Sequence, residues 1–194
     1  MSRATPMAPE HRRQAIIDAT LPLLLEHGSD VSTREIAAAA CVAEGTIFRV
    51  FETKQELIQE TIRAALQPDA AIAQLAQLPP DQTLEERVAA IFDVLRGDIR
   101  RTRSLLAHLV QPAELSHRSW PAFNPHEAKH RLAAAADLAL APYADGLAVP
   151  TTFAGHLLTV LSFATTFSLP EDDPLNHSHE LADTVLHGIA KGDR

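Results

Sequence analysis

Cysteine is nearly absent. Cys41 is the only one among 194 residues, so the chain cannot close a disulfide within itself. Long hydrophobic runs are missing too. No stretch of about 18 apolar residues occurs, which excludes an ordinary membrane-spanning helix. Met1–Glu10 lacks the apolar segment of a secretion signal, and together these absences predict a soluble cytoplasmic protein. Aromatic residues are scarce at 5%. Ala and Leu dominate the apolar set, which favours helices over the β-branched and aromatic composition of sheets. Positive charge is in deficit, with a formal net charge of −8. That argues against a protein that coats polyanions nonspecifically. Gly-rich phosphate loops, zinc-ligand spacings and nucleophile elbows are also lacking. No catalytic residue, cofactor or metal is expected.

What is present is enough for a core. Apolar residues make up 46%, and the length suits one medium domain or a small one plus a medium one. Local signals divide the chain into about nine helices with no convincing strand. The first helix is expected over about Pro9–His27, with Pro9 in its first turn and Gly28 as its stop. Pro22 lies inside it and removes one intrahelical bond, so a kink is expected there. Ser32-Thr33-Arg34-Glu35 reads as a capping box opening a short helix to about Ala40. A tight turn at Cys41-Val42-Ala43 leads to a third helix, about Glu44–Phe51. Thr53-Lys54-Gln55-Glu56 reads as a second capping box, for a helix to about Leu66. Pro79-Pro80 marks a loop, and Thr83-Leu84-Glu85-Glu86 caps the next helix. A separate helical stretch is expected over about Thr102–Leu115, then a loop carrying Trp120. Asn124-Pro125-His126-Glu127 is a strong helix start. Two further helices are expected, about Thr151–Ser168 and Ser178–Lys191.

Two short helices joined by a tight turn, with a third packed before them, make a helix-turn-helix. A helical corner of a larger bundle has the same spacing. Ile36, Ala37, Ala40, Val42, Ile47 and Phe51 would form its small core. Thr33, Arg34, Glu44, Thr46, Phe48, Arg49 and Val50 would face outward. Residues 1–63 hold seven Lys or Arg against nine Asp or Glu, so duplex binding would rest on a few well-placed cations.

The residues Ile17-Asp18-Ala19, Glu26-x-Gly28, Ser32-Thr33-Arg34-Glu35-Ile36-Ala37, Val42-Ala43-Glu44-Gly45-Thr46-Ile47-Phe48, Phe51 and Lys54-x-x-Leu57 agree in order and spacing with one pattern. Through them the segment of about 12–60 resembles the N-terminal domain of TetR-family repressors. The resemblance implies an all-α protein with a DNA-binding domain at 1–60 and a helical effector-binding and dimerisation domain at 61–194. It implies that Ser32, Thr33 and Arg34 open the helix approaching the DNA backbone. Ala43, Glu44, Gly45 and Thr46 would start the recognition helix, with Phe48, Arg49 and Val50 along it, and Lys54 would meet a phosphate. Physical chemistry agrees with these roles. A helix fits the major groove, Arg is the best bidentate reader of guanine, and Lys supplies a point charge for phosphate. The family often has glycine at Cys41, serine at Ala43, tyrosine at Phe48 and histidine or tyrosine at Val50. Ala43 therefore loses a side-chain cap, and Phe48 loses a hydroxyl.

The resemblance also implies a pseudo-palindromic operator, a homodimer, and an apolar or amphipathic small-molecule effector held by the middle helices. Phe92, Leu95, Leu106, Leu109, Trp120, Phe123 and Phe153 are candidate pocket walls, with Arg96, His108 and His156 as polar groups. The segment Phe153–Phe167 is apolar over much of its circumference, which calls for cover on several sides. Leu157, Val160, Phe163, Phe167, Leu181, Val185 and Ile189 are therefore candidate interface residues for two last-helix pairs packed as a four-helix bundle.

Two rival classes are a small helical enzyme or cofactor-binding protein, and a protein-interaction bundle. Turnover or a bound metal without DNA affinity would mark the first, and absence of any operator footprint the second. His126 and His130 stand at a metal-binding spacing, but sequence sets no acidic or cysteine partner beside them. His177 and His179 have no more support. Cys41 reads as a small turn residue. Arg96, Arg100, Arg101 and Arg103 read as a solvated face with ion pairs to Asp93 or Asp98, the alternative being a contact with the DNA domain or an anionic effector.

Overall fold

The computed structural model describes residues 8–109, 124–168, 173 and 176–189. They form an all-α protein in two compact units. The first runs to Leu66 and resumes at Ser104, and the second holds Gln67–Arg103 and the chain from Asn124 onward.

The first unit contains α1 (Pro9–His27), a 3-10 turn (Gly28–Asp30), α2 (Thr33–Ala39), α3 (Glu44–Val50) and α4 (Lys54–Ala65). The ends of these helices are written in local chemistry. Gly28 takes φ +61° and donates its N–H to the Leu24 carbonyl, closing α1. The helix runs on through the exposed Pro22. Ser32 and Glu35 form the reciprocal capping box of α2. The expected second box is half present. Thr53 accepts from the Glu56 N–H, but the Glu56 carboxylate accepts instead from the Glu52 N–H. The core joins Ile16, Ile17, Leu24, Val31, Ile36, Ile47, Phe51, Leu57, Ile62 and Leu66, all buried. Each such side chain contributes about 1.5–3 kcal/mol on leaving water. Arg13 on α1 and Arg63 on α4 both donate to Glu60, at 2.9 and 2.6 Å. These bonds hold the Glu60 carboxyl below its ordinary value, Arg63 contributing most.

The second unit contains α5 (Asp69–Ala76), most of α6 (Leu84–Leu109), α7 (Pro125–Leu140), a 3-10 turn (Ala141–Gly146), α8 (Thr151–Ser168) and α9 (Ser178–Ile189). Two expectations change here. A helix, α5, occupies part of the segment before the Pro79-Pro80 loop. The two helices expected after Thr83 are one, because Arg96–Thr102 continues α6 without interruption. The capping box at Thr83 and Glu86 forms in both directions. Asn124 caps α7 by accepting from the N–H groups of His126 and Glu127. Helices α7 and α8 meet through small residues: Ala133, Ala136, Ala154 and Gly155 are all buried. A Cβ on Gly155 would lie 2.7 Å from the Asp137 nitrogen and 2.8 Å from the Ala133 oxygen. Only glycine permits that approach.

Arg96 is not on a solvated face. It is 1% exposed. Its guanidinium donates to the Asn176 carbonyl, Ser178 Oγ and Thr165 Oγ1, and Ser178 donates in turn to Asp93. Burial pushes its pKa down, Arg100 adds to that, and Asp93 opposes it. Arg101 does pair with Asp98 as expected, at 2.9 Å.

Candidate nucleic-acid interface

Helices α2 and α3 are joined by a Schellman-type turn. The Val42 N–H reaches the Ala37 carbonyl at 2.9 Å and the Cys41 N–H the Ala38 carbonyl at 3.2 Å. That closure requires a left-handed residue, normally glycine. Cys41 fills the position at φ +53° and is exposed. It is thus a turn residue under mild strain.

The turn fixes α3 against the core through Ile47, the helix's one buried residue among those described. Glu44, Gly45, Phe48 and Arg49 are exposed, and Phe48 is 50% exposed despite its size. Thr46 and Val50 are half-buried, so Val50 is not fully outward but packs against the core. Ala43 caps α3 with no side-chain bond. On α2, Ser32 and Arg34 are exposed and Thr33 is half-buried.

Sequence reasoning missed two contacts. Thr33 Oγ1 donates to Glu44 Oε1 at 2.5 Å, tying the start of α2 to the start of α3. Lys54 Nζ donates to the Ser29 carbonyl at 2.8 Å. Contacts between residues 11 and 25 positions apart have no local sequence signal. Both could have been found only by placing the helices first. Glu35 has its pKa lowered by the Ser32 backbone and hydroxyl donors. Its charge is thereby spent on the cap. The exposed cations of this face are Arg34 and Arg49, with Lys54 half-buried beside them.

The pocket and interface candidates scatter. Phe92, Leu95 and Arg96 come together in the second unit's core, with the Arg96 guanidinium 5.4 Å from the Phe92 ring centre. Leu106 packs instead against the first unit's core. Phe153 and His156 are exposed on α8. Trp120, Phe123 and the side chains of His108, Leu109 and Ile189 lie outside the described residues. A cleft of about 460 Å³ in the second unit is lined by Asp81, Gln82, Glu86, Ala89, Ala90, Asp93 and His179, none of them a sequence candidate. Among interface candidates, Val160 and Phe167 are exposed and Leu157, Phe163 and Val185 half-buried. Leu181 is a correction. It is 3% exposed and belongs to the unit's own core, because α9 turns that face inward.

Among the described residues no helix is long and apolar enough to cross a membrane. Residues 16–61 match the family model described as bacterial regulatory proteins, tetR family. Solved structures match nearly the whole chain. One, described as a TetR-family transcriptional regulator from Mesorhizobium loti MAFF303099, aligns at TM-score 0.60 and 16% identity, over 96% of this chain and 100% of that one. The superantigen PfiT aligns at TM-score 0.53 and 21% identity, over 96% and 100%. A transcriptional regulator from Pseudomonas aeruginosa PAO1 aligns at 0.52 and 20%, over 94% and 91%. At such identities the structures establish a shared fold, and the family match establishes the N-terminal helix-turn-helix.

Proposed function

Because residues 16–61 match the model of the tetR family of bacterial regulatory proteins, we propose that the chain is a regulator of that family, which represses transcription as a homodimer on a pseudo-palindromic operator and leaves it on binding a small effector. The observation that carries the DNA half is α3. Its Ile47 anchors it, and Glu44, Gly45, Phe48 and Arg49 stand clear of the core. Arg49 reads bases, Arg34 and Lys54 hold phosphates, and Ser32, Thr33, Ala43, Thr46 and Val50 fix or border the contact. Lys54 exchanges the Ser29 carbonyl for a phosphate oxygen. Glu44, held by Thr33, accepts from a cytosine amino group or excludes bases that present only acceptors.

The second copy is supported by α8. Phe153, Val160 and Phe167 are three of the chain's exposed large hydrophobic side chains, at 57, 42 and 60%. They recur every seven residues, so they share one stripe, and Phe163 stacks on Phe167 at 6.2 Å between ring centres. Apolar surface of that extent on a soluble chain marks an interaction face, and a two-fold copy supplies a matching stripe. The effector is apolar or amphipathic. Phe92 and Leu95 are fully packed, so an effector seated among them must favour an opened arrangement of the helices. By linkage the operator then weakens the effector as much as the effector weakens the operator.

Selection from a pool of random duplexes tests the reading. The wild-type chain should enrich a two-fold-related sequence. Arg49→Ala should relax selection at defined positions and cost about 1–3 kcal/mol. A pool that emerges unenriched would end the proposal.

A further inference from the structure

We propose that His130 of α7 and His156 of α8 together chelate a first-row transition cation such as Zn²⁺, Ni²⁺ or Cu²⁺. The sequence pairs His130 with His126, one turn back on the same helix. The fold gives His130 a different partner. The rings of His130 and His156 lie 5.4 Å apart between centroids, with planes inclined at 65°. Two imidazoles bound side by side to a tetrahedral ion at metal–nitrogen distances of about 2.0–2.1 Å have centroids roughly 5 Å apart. The observed spacing therefore admits one ion between the rings with small side-chain rotations. Both residues are exposed, so a hydrated cation reaches them without opening the fold.

The two helices hold the donors at that spacing. Gly155, the neighbour of His156, lies so close to α7 that a Cβ would collide with backbone atoms of Ala133 and Asp137. A second cross-helix contact places Lys129 Nζ 5.9 Å from the Phe163 ring centre. The α7–α8 register is thus fixed on both sides of the histidine pair, and binding costs only side-chain freedom. Among the described residues no group of three or more His, Cys, Asp and Glu side chains is arranged to hold a metal. The pair supplies two nitrogens and water fills the other positions. That makes an exchangeable site, not a folding site, and one selective for cations that take imidazole. Affinity should follow Cu²⁺ above Ni²⁺ and Zn²⁺, with Mg²⁺ and Ca²⁺ excluded because they require oxygen ligands.

Isothermal titration of the tag-free full-length chain with CuCl₂, NiCl₂, ZnCl₂ and MgCl₂, in a buffer that does not chelate, tests the site. One cation per chain is expected for the first three and none for Mg²⁺. His130→Ala and His156→Ala should each weaken binding by more than the roughly tenfold that loss of an outer-shell partner costs. His126→Ala should leave it unchanged. The Cu²⁺ complex should show two imidazole nitrogens in its electron paramagnetic resonance spectrum. Three results would overturn the proposal. The wild-type chain could bind no cation, leaving the edge-to-face ring contact as the pair's whole role. His126→Ala and not His156→Ala could abolish binding, placing the ion on α7 alone. Or binding could survive all three substitutions, placing it on other histidines such as His177 and His179.

Discussion

In the first unit, α2 and α4 open on side-chain caps and the core is made of large aliphatic residues. In the second, α7 and α8 meet on Ala and Gly, and Arg96 lies inside the core. The contrast separates two ways of fixing helices. Caps and bulky side chains tolerate small shifts, because the buried groups can repack. A seam of backbone against backbone has no such slack. Substitutions in the second unit should therefore cost more than comparable ones in the first.

The largest effect is expected at Arg96. Arg96→Ala opens a cavity and strips Ser178, Thr165 and the Asn176 carbonyl of their donor. The loss should be about 3–5 kcal/mol in chemical denaturation. Arg96→Met, which restores volume without charge, should recover a good part of it. A loss for Arg96→Ala below about 1 kcal/mol would show that the buried cation fastens nothing.

Gly155→Ala should follow, at about 1–3 kcal/mol, because the added methyl meets backbone that cannot rotate away. Ala164→Gly, at an exposed position of the same helix, provides the helix-propensity control.

In the first unit the effects shrink. The Glu60 carboxyl has a folded pKa below its ordinary value of 4.5. Its ion pairs are therefore fully stabilising above about that pH and are lost as the pH falls through the depressed value. Glu60→Gln should cost about 0.5–1 kcal/mol at neutral pH, since both arginines are partly solvated. The difference from wild type should close on acidification below 4.5. A gap that stays constant down to pH 2 would mean that charge is not the source.

The smallest effect should be a gain. Cys41→Gly relieves a left-handed backbone, worth about 1 kcal/mol, against part of that in added unfolded-state freedom. A net increase of a few tenths of a kcal/mol in thermal or urea unfolding is expected. A decrease would show that the Cys41 side chain contributes packing that its exposure conceals.

The same contrast explains what could be read from the sequence. Helices α1 to α4 were legible because their ends are local: Gly28, the Ser32–Glu35 box and Thr53 announce themselves within four residues. The outward face of α3 was legible in part: Glu44, Phe48 and Arg49 are exposed, while Thr46 and Val50 are half-buried. Helix α5 was missed because the residue before it, Pro68, offers no side-chain cap. Helix α6 was divided because Arg96, Asp98 and three further arginines within eight residues look like solvated surface. Arg96 and Asp98 are in fact buried. Burial of a charge depends on partners such as Asn176 and Ser178, some 80 residues away. Leu181 went wrong for a related reason. An apolar stripe tells which face of a helix is covered, but not whether its own chain or a copy covers it.

Helix α3 is attached by so little that it can be treated as a cassette. Among its described residues Ile47 alone is buried, and Ala43 before it makes no capping bond that a substitution could forfeit. Gly45, Phe48 and Arg49 can be randomised together without touching the aliphatic core or the Thr33–Glu44 bond, since exposed positions seldom change stability by more than about 0.5 kcal/mol. Three exposed positions of α3 can thus be rewritten while the rest of the molecule is left as it is.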